Sequence, residues 1–125
     1  SVHLIIGLPH EDINDYLKAI SYINYREFWG IKIHNLYIEK NSRIYDYYLE
    51  NKCEFNITLD QFTDYVILIL EYLNPNIIVQ RLTGDGRRDR LIWPSWSKNK
   101  GKVLATIDKK LKDKNKNQGD LWKEK

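Results

Sequence analysis

The sequence predicts an α/β protein, about three parallel strands with flanking helices. Three observations carry that reading. Residues 2–8, 31–38 and 77–82 are short apolar runs rich in β-branched residues, each ended by a turn or a polar switch. Helical patterns lie between and after them, in the order β-α-β-(α)-α-β-α. A strand–helix–strand unit of this length implies a parallel, right-handed crossover. Three strands do not close a barrel, and 125 residues fall short of the roughly 200 that a complete α/β barrel needs. The expectation is an incomplete sheet with one edge covered or open.

Each element has its own signal. Residues 2–8 form the first strand, closed by Gly7 and Pro9. Glu11 and Asp12 suit a helix N-terminus, and Ile13, Tyr16, Leu17 and Ile20 follow at helical spacing, so a helix is expected over about 11–26. Gly30 ends the break after it. Residues 31–38 form the second strand, with Ile31 and Ile33 on one face and Lys32 and His34 on the other. Residues 43–50 make a short helix with Ile44, Tyr47 and Tyr48 on one side, and 51–57 a loop. Thr58 and Gln61 spell a capping box, and Phe62, Tyr65, Val66, Ile69, Leu70 and Leu73 trace a full apolar stripe, predicting a helix over 59–73. Asn74-Pro75-Asn76 stops it. Residues 77–82 form the third strand, and Val103, Leu104, Ile107 and Leu111 mark a last helix over 99–112. Beyond Asp113 only Leu121 and Trp122 offer much to bury.

Composition narrows the function classes. No apolar run approaches the roughly 20 residues that span a bilayer, and the start has no basic, long-hydrophobic leader pattern. The chain lacks Met and begins inside an apparent strand, which reads as a fragment of a longer protein. A single cysteine, Cys53, excludes an intrachain disulfide and any multi-cysteine metal site within these residues, and suits a cytoplasmic location. The net charge of +3 is uneven. Residues 98–125 carry ten lysines against four acids, while residues 1–97 carry ten basic and thirteen acidic residues. That division sets residues 1–97, which hold the β/α units, apart from 98–125, a C-terminal helix with a basic tail. The tail suits phosphate backbones, or is a solvated, frayed end.

Residues 77–96, IIVQRLTGDGRRDRLIWPSW, hold the densest chemistry. A strand turns polar at Gln80-Arg81 and enters a glycine turn, then an arginine cluster and two tryptophans. Loops at the carboxyl ends of parallel strands are where α/β proteins place sites. Arg81 supplies a fork for carboxylate or phosphate, and Asp85 an acceptor for it or for a hydroxyl. The alternative is an Arg81–Asp85 pair that only staples the turn. His34 is a second candidate, or a hydrogen-bonded core histidine. Trp93 and Trp96 are expected to pack beneath the C-terminal helix rather than stack on bases.

HLIIGLPHED, GIKIHNLYIEKNS, QRLTGDG and LIWPSWSKNK resemble, over nearly the whole chain, the C-terminal part of YhcC-like radical S-adenosylmethionine proteins. Those proteins are similar to the elongator catalytic subunit and, more distantly, to oxygen-independent coproporphyrinogen oxidase. The resemblance implies the last third of a partial (β/α)6 TIM-like barrel. It also implies a 4Fe–4S cluster and S-adenosylmethionine in the full-length family, with reductive cleavage to a 5′-deoxyadenosyl radical. The family's cluster cysteines, in a C-x3-C-x2-C-like loop, are not in this sequence, so the resemblance implies no activity for the chain alone.

Residue by residue, Ile5 and Gly7 match the family's fifth-strand motif, where Ile5 would meet the adenine and Gly7 allow close backbone approach. His3 departs from that motif's first glycine, at a position where coproporphyrinogen relatives have an Asp near the cofactor. Lys32, His34 and Asn35 match the sixth strand, whose inner face lies over the adenosyl group. Asn41-Ser42-Arg43 replaces the relatives' Gly-Thr-Pro. The resemblance thus assigns His3, Ile5, Gly7 and His34 to the cofactor; Arg81 and Asp85 are the candidates for substrate. Expected partners are the missing N-terminal barrel portion and an RNA (tRNA) or protein substrate, with no membrane. A non-catalytic RNA-binding or protein-interaction module, using Arg87, Arg88, Arg90 and the lysine tail, is the alternative.

Overall fold

The computed structural model describes residues 1–84 and 88–123. Along the chain run β1 (Val2–Ile6), α1 (Ile13–Tyr25), β2 (Gly30–Asn35), β3 (Ile38–Glu39), α2 (Arg43–Glu50), α3 (Leu59–Tyr72), β4 (Ile78–Arg81), β5 (Leu91–Trp93) and α4 (Lys100–Asp113). The three expected strands pair in parallel in the order β1-β2-β4. They form a mixed α/β unit with all four helices close to their predicted ends.

The starts of α1 and α3 are set by side chains. The Asp12 carboxylate accepts the Asn14 and Asp15 amides at 2.9 and 3.3 Å, and Asp15 returns a bond to the Asp12 amide at 2.9 Å. The reciprocal Thr58–Gln61 bonds, both 3.1 Å, start α3 in the same way. Each cap satisfies donors that a helix N-terminus leaves unpaired.

Burial then decides which face of the sheet is covered. Tyr16, Ile20 and Ile23 of α1, Phe62, Val66 and Ile69 of α3, and Val103 and Ile107 of α4 form one core with Ile6, Ile31 and Ile33. Val2, Leu4 and Val79 pack against it. All three helices therefore lie on one side, and each fully buried Ile or Phe contributes about 1.5–3 kcal/mol.

The run expected as one strand over 31–38 divides. The backbone leaves the parallel sheet after Asn35, and β3 pairs antiparallel with β5 in a separate two-stranded sheet. A three-residue strand ending at Pro94 is too short for periodicity to reveal. Leu36, Ile38 and Phe55 form a second, smaller core under Ile44, Tyr45, Tyr48 and Trp93. Trp96 packs in the main core, 5.4 Å from the Phe62 ring, while Trp93 sits in the smaller core, 5.7 Å from Phe55. Only Trp96 thus shares a core with the C-terminal helix.

The described part of the C-terminal tail is tied down rather than frayed. Gly119 and Leu121 amides donate to the Leu70 and Glu71 carbonyls at 2.9 and 2.8 Å, and the Gln118 amide group donates to the Asn74 and Ile77 carbonyls. The tail thereby satisfies carbonyls that the end of α3 leaves open. Gly119 is required there: its φ is +87°, and a Cβ would meet Pro75 at 2.9 Å. Among the described residues no helix is long and apolar enough to cross a membrane.

Candidate functional site

Among the described residues, no helix covers the face of the parallel sheet opposite α1, α3 and α4. Alternation along the strands places His3 and Ile5 of β1 and Lys32 and His34 of β2 there. Register pairs His3 with Lys32 and Ile5 with His34. The His3 and His34 rings meet edge to face at 5.8 Å, and Tyr37 lies 6.3 Å beyond His34. Ile5 is 38% exposed and Ile78 60%, so the face also offers apolar contact. The structure thus brings together three of the residues expected at a cofactor: His3, Ile5 and His34.

Gly7 ends β1 with φ +117°, a conformation that favours glycine. Its amide donates to the Tyr16 hydroxyl at 2.9 Å, and a Cβ would stand 3.3 Å from Ile57. The close approach recorded at Gly7 is to this chain's own side chains. Burial raises the Tyr16 hydroxyl pKa, against the lowering effect of the Gly7 amide.

Arg81 reaches the same region by an irregularity. Strict alternation from Val79 would carry it under the sheet. A bulge between the Ile31 and Lys32 pairings instead pairs Ile31 with Val79 and Lys32 with Arg81, leaving Gln80 as the extra residue. Sequence periodicity alone misses such a shift. Asp85, the expected companion of Arg81, and Arg87 lie outside the described residues.

Asn35 is a residue whose importance the sequence reading missed. Its side chain is fully buried at the carboxyl end of β2. Its carboxamide oxygen accepts the Gly84 amide at 2.8 Å, and its nitrogen donates to the Ser97 hydroxyl and the Leu36 carbonyl, both at 3.0 Å. One amide thus ties the end of β2, the loop after β4 and the turn before α4. A Cβ on Gly84 would come within 2.9 Å of the Asn35 carboxamide oxygen and of Tyr37, so glycine is needed there. Beside it, the buried Thr83 hydroxyl has no hydrogen-bond partner among the described residues. The signal available in sequence was a polar residue at an inward-facing strand position.

Elsewhere, His10 lies 3.5 Å from Glu54, and a short hydrogen bond from Tyr47 to Glu54 raises the Tyr47 pKa. Burial, then the Asp15 charge, raises Glu11. Cys53 is exposed, and among the described residues no three His, Cys, Asp or Glu side chains gather to hold a metal.

Comparison with known proteins places this architecture. Residues 28–113 match the model of the Radical_SAM C-terminal domain, which is more than half of the chain. The chain belongs to that family. It is 36% identical to the uncharacterized protein YtqA of Bacillus subtilis over 120 residues, covering 96% of this chain and 37% of YtqA. It is 27% identical to the uncharacterized protein MJ0486 of Methanocaldococcus jannaschii, covering 94% of this chain and 36% of that protein. It is also 27% identical to the protein YhcC of Escherichia coli K12, covering 89% of this chain and 36% of YhcC. The expected YhcC-like radical SAM C-terminal region is therefore the right family. The chain spans little more than a third of the length of these relatives. Of the candidate site, β2, β4 and Gly84 lie within the matched radical SAM C-terminal residues, and β1, with His3 and Ile5, precedes them.

Proposed function

We propose that the chain is the C-terminal part of a cytoplasmic radical SAM iron–sulfur enzyme and supplies part of the wall over the adenosyl group. The observation that carries this reading is the uncovered sheet face. A sheet packed on one side by three helices still holds His3, Ile5, Lys32 and His34 on the other, with Arg81 drawn into register by a bulge. Such a face suits a barrel interior that binds a polar, partly aromatic molecule.

The fit of the two cofactors differs. The chain supplies no ligand set for a 4Fe–4S cluster, since Cys53 stands alone and exposed, so the cluster belongs to residues outside it. S-adenosylmethionine fits better: Ile5 offers an apolar surface for adenine, and His3 and His34 offer polar nitrogens beside it. When bound, that cofactor supplies the 5′-deoxyadenosyl group for radical chemistry. His3, Ile5 and His34 would then orient it, with Gly7 shaping the end of β1 against Tyr16, and Arg81 with Asp85 would contact substrate. The remaining N-terminal portion completes the barrel around the open face.

The RNA-binding reading has less support. Lys110, Lys112, Lys114 and Lys116 of the basic end lie within 4 Å of Asp60, Asp108, Asp64 and Glu71, surface and part-buried pairs that offset part of that charge.

The test is reductive cleavage of S-adenosylmethionine by the full-length protein after iron–sulfur reconstitution, with 5′-deoxyadenosine measured by chromatography. The expected result is turnover that falls at least about tenfold in His34→Ala. No deoxyadenosine from the reconstituted wild type would overturn the reading. Rates unchanged in Arg81→Ala and Asp85→Ala, with and without a candidate substrate, would remove those two residues from the site.

A further inference from the structure

The uncovered face carries a row of basic groups across all three strands. His3 of β1 is in register with Lys32 of β2, and Lys32 is in register with Arg81 of β4. Adjacent strands stand about 4.8 Å apart, so the row spans about 10 Å. Like charges set directly opposite one another on a sheet are destabilising. The row exists because of the bulge: without Gln80 as the extra residue, the position opposite Lys32 would be a neutral glutamine. The fold thus accepts an irregular pairing that places a second cation beside the first. Lys32 is half-buried and has no ion-pair partner among the described residues. Neither neighbour in the row, His3 or Arg81, is an acid. Elsewhere the chain does neutralise its part-buried lysines. Lys110 is held by Asp60 at 2.6 Å and Asp64 at 2.9 Å, and Lys116 stands 3.7 Å from Glu71.

We propose that His3, Lys32 and Arg81 form an oxyanion subsite, so that the molecule bound on this face presents a carboxylate or a phosphate to the centre of the sheet. Lys32 acts as the point charge and Arg81 as the planar fork that a two-oxygen group matches. His3 adds an imidazole nitrogen at the β1 end. Ile5 and His34 form the next register pair along the strands, so the adjoining body of the ligand lies against an apolar and an aromatic side chain. This rests on the radical SAM reading for its location and goes beyond it by specifying the chemistry of the ligand.

Two sources supply such a group: the amino-acid carboxylate of S-adenosylmethionine, or an anionic substrate. The experiment uses the full-length protein with Lys32→Gln and Arg81→Gln, which remove charge and keep a polar side chain. Lys18→Gln, an exposed lysine on α1, is the charge control. Inorganic phosphate is titrated while the imidazole resonances of His3 and His34 are followed by NMR, and S-adenosylmethionine is titrated by calorimetry. The expected result is that phosphate shifts both imidazoles in wild type and Lys18→Gln, with affinity about tenfold weaker in Lys32→Gln, the scale of one buried charge contact. If the cofactor's carboxylate occupies the row, S-adenosylmethionine affinity falls by a similar factor in Lys32→Gln. If the oxyanion belongs to the substrate, cofactor affinity holds and only the phosphate response is lost. A phosphate response equal in all four proteins, together with unchanged cofactor affinity, overturns the subsite. A wild type that binds no S-adenosylmethionine counts against the enzyme reading alone, and the phosphate titration still judges the row.

Discussion

The two faces of β2 differ in what packs against them. On one side Ile31 and Ile33 are fully buried under α1, α3 and α4. On the other, Lys32 and His34 are half-buried, with the His34 ring 5.8 Å from His3 and 6.3 Å from Tyr37. Dispersion and apolar burial hold the first face together, and both tolerate little change in volume. The second face has no helix packed against it among the described residues, so its side chains are less constrained by packing. The contrast teaches that a single six-residue strand can present one packed face and one open face, because side chains alternate every residue.

Substitutions on the two sides should therefore separate in their effects. The largest effect is expected under the helices. Phe62 is fully buried and packs 5.4 Å from Trp96, so Phe62→Ala should cost about 3–5 kcal/mol, enough to unfold a marginal domain. Urea denaturation followed by circular dichroism checks it, and a loss below about 1 kcal/mol would break the claim that this side carries the stability.

A smaller effect is expected where α4 is clamped to α3. Lys110 bonds Asp60 at 2.6 Å, Asp64 at 2.9 Å and the Thr63 hydroxyl at 2.8 Å. Burial works against its charge, but the hydrogen bonds to Asp60 and Asp64 hold its pKa above the usual lysine value. The hydrogen bond from Lys110 holds the Asp60 carboxyl below its usual value. Lys110→Met should cost about 1 kcal/mol at neutral pH. The sign of the pH dependence follows from both shifts. A lowered carboxyl contributes fully above its unfolded value and loses that contribution as pH falls through the folded one. A raised lysine contributes fully below its unfolded value and loses it as pH rises through the folded one. Wild type and Lys110→Met should therefore converge in stability at both acid and alkaline extremes. A gap that stays constant from pH 3 to pH 11 in thermal melts would show that Lys110 acts through packing alone.

The smallest stability effect belongs to the uncovered face. His3 is exposed and meets His34 only edge to face, so His3→Ala should change stability by less than about 0.5 kcal/mol. The same substitution should weaken S-adenosylmethionine binding in the full-length protein, measured by calorimetry. A large loss of stability without a change in binding would reverse the roles assigned to the two faces.

Sequence by itself determined the local elements. Thr58 with Gln61 and the stripe from Phe62 to Leu73 specify α3 through nearest-turn contacts, which periodicity reads directly. The three parallel strands and the family were legible for the same reason: β-branched runs between helical patterns, and short motifs such as Gly84-Asp85-Gly86. Of the candidate site, strand alternation set His34 beside Lys32 on one face, while His3 and Ile5 were picked out by the resemblance to the family's fifth-strand motif.

Only the tertiary structure decided the rest, because each remaining feature depends on partners distant in sequence. The bulge that brings Arg81 opposite Lys32 is a register between strands nearly fifty residues apart, invisible to any local window. Asn35 looks like one more strand residue until Gly84 and Ser97, 49 and 62 residues away, close on its carboxamide. The β3–β5 pair has too few residues to announce itself. The tail reads as polar and loose, yet it folds back because the end of α3 offers open carbonyls that its backbone amides satisfy. Local propensity fixes what each segment becomes; the unmet hydrogen-bonding and packing needs of distant segments fix where it goes.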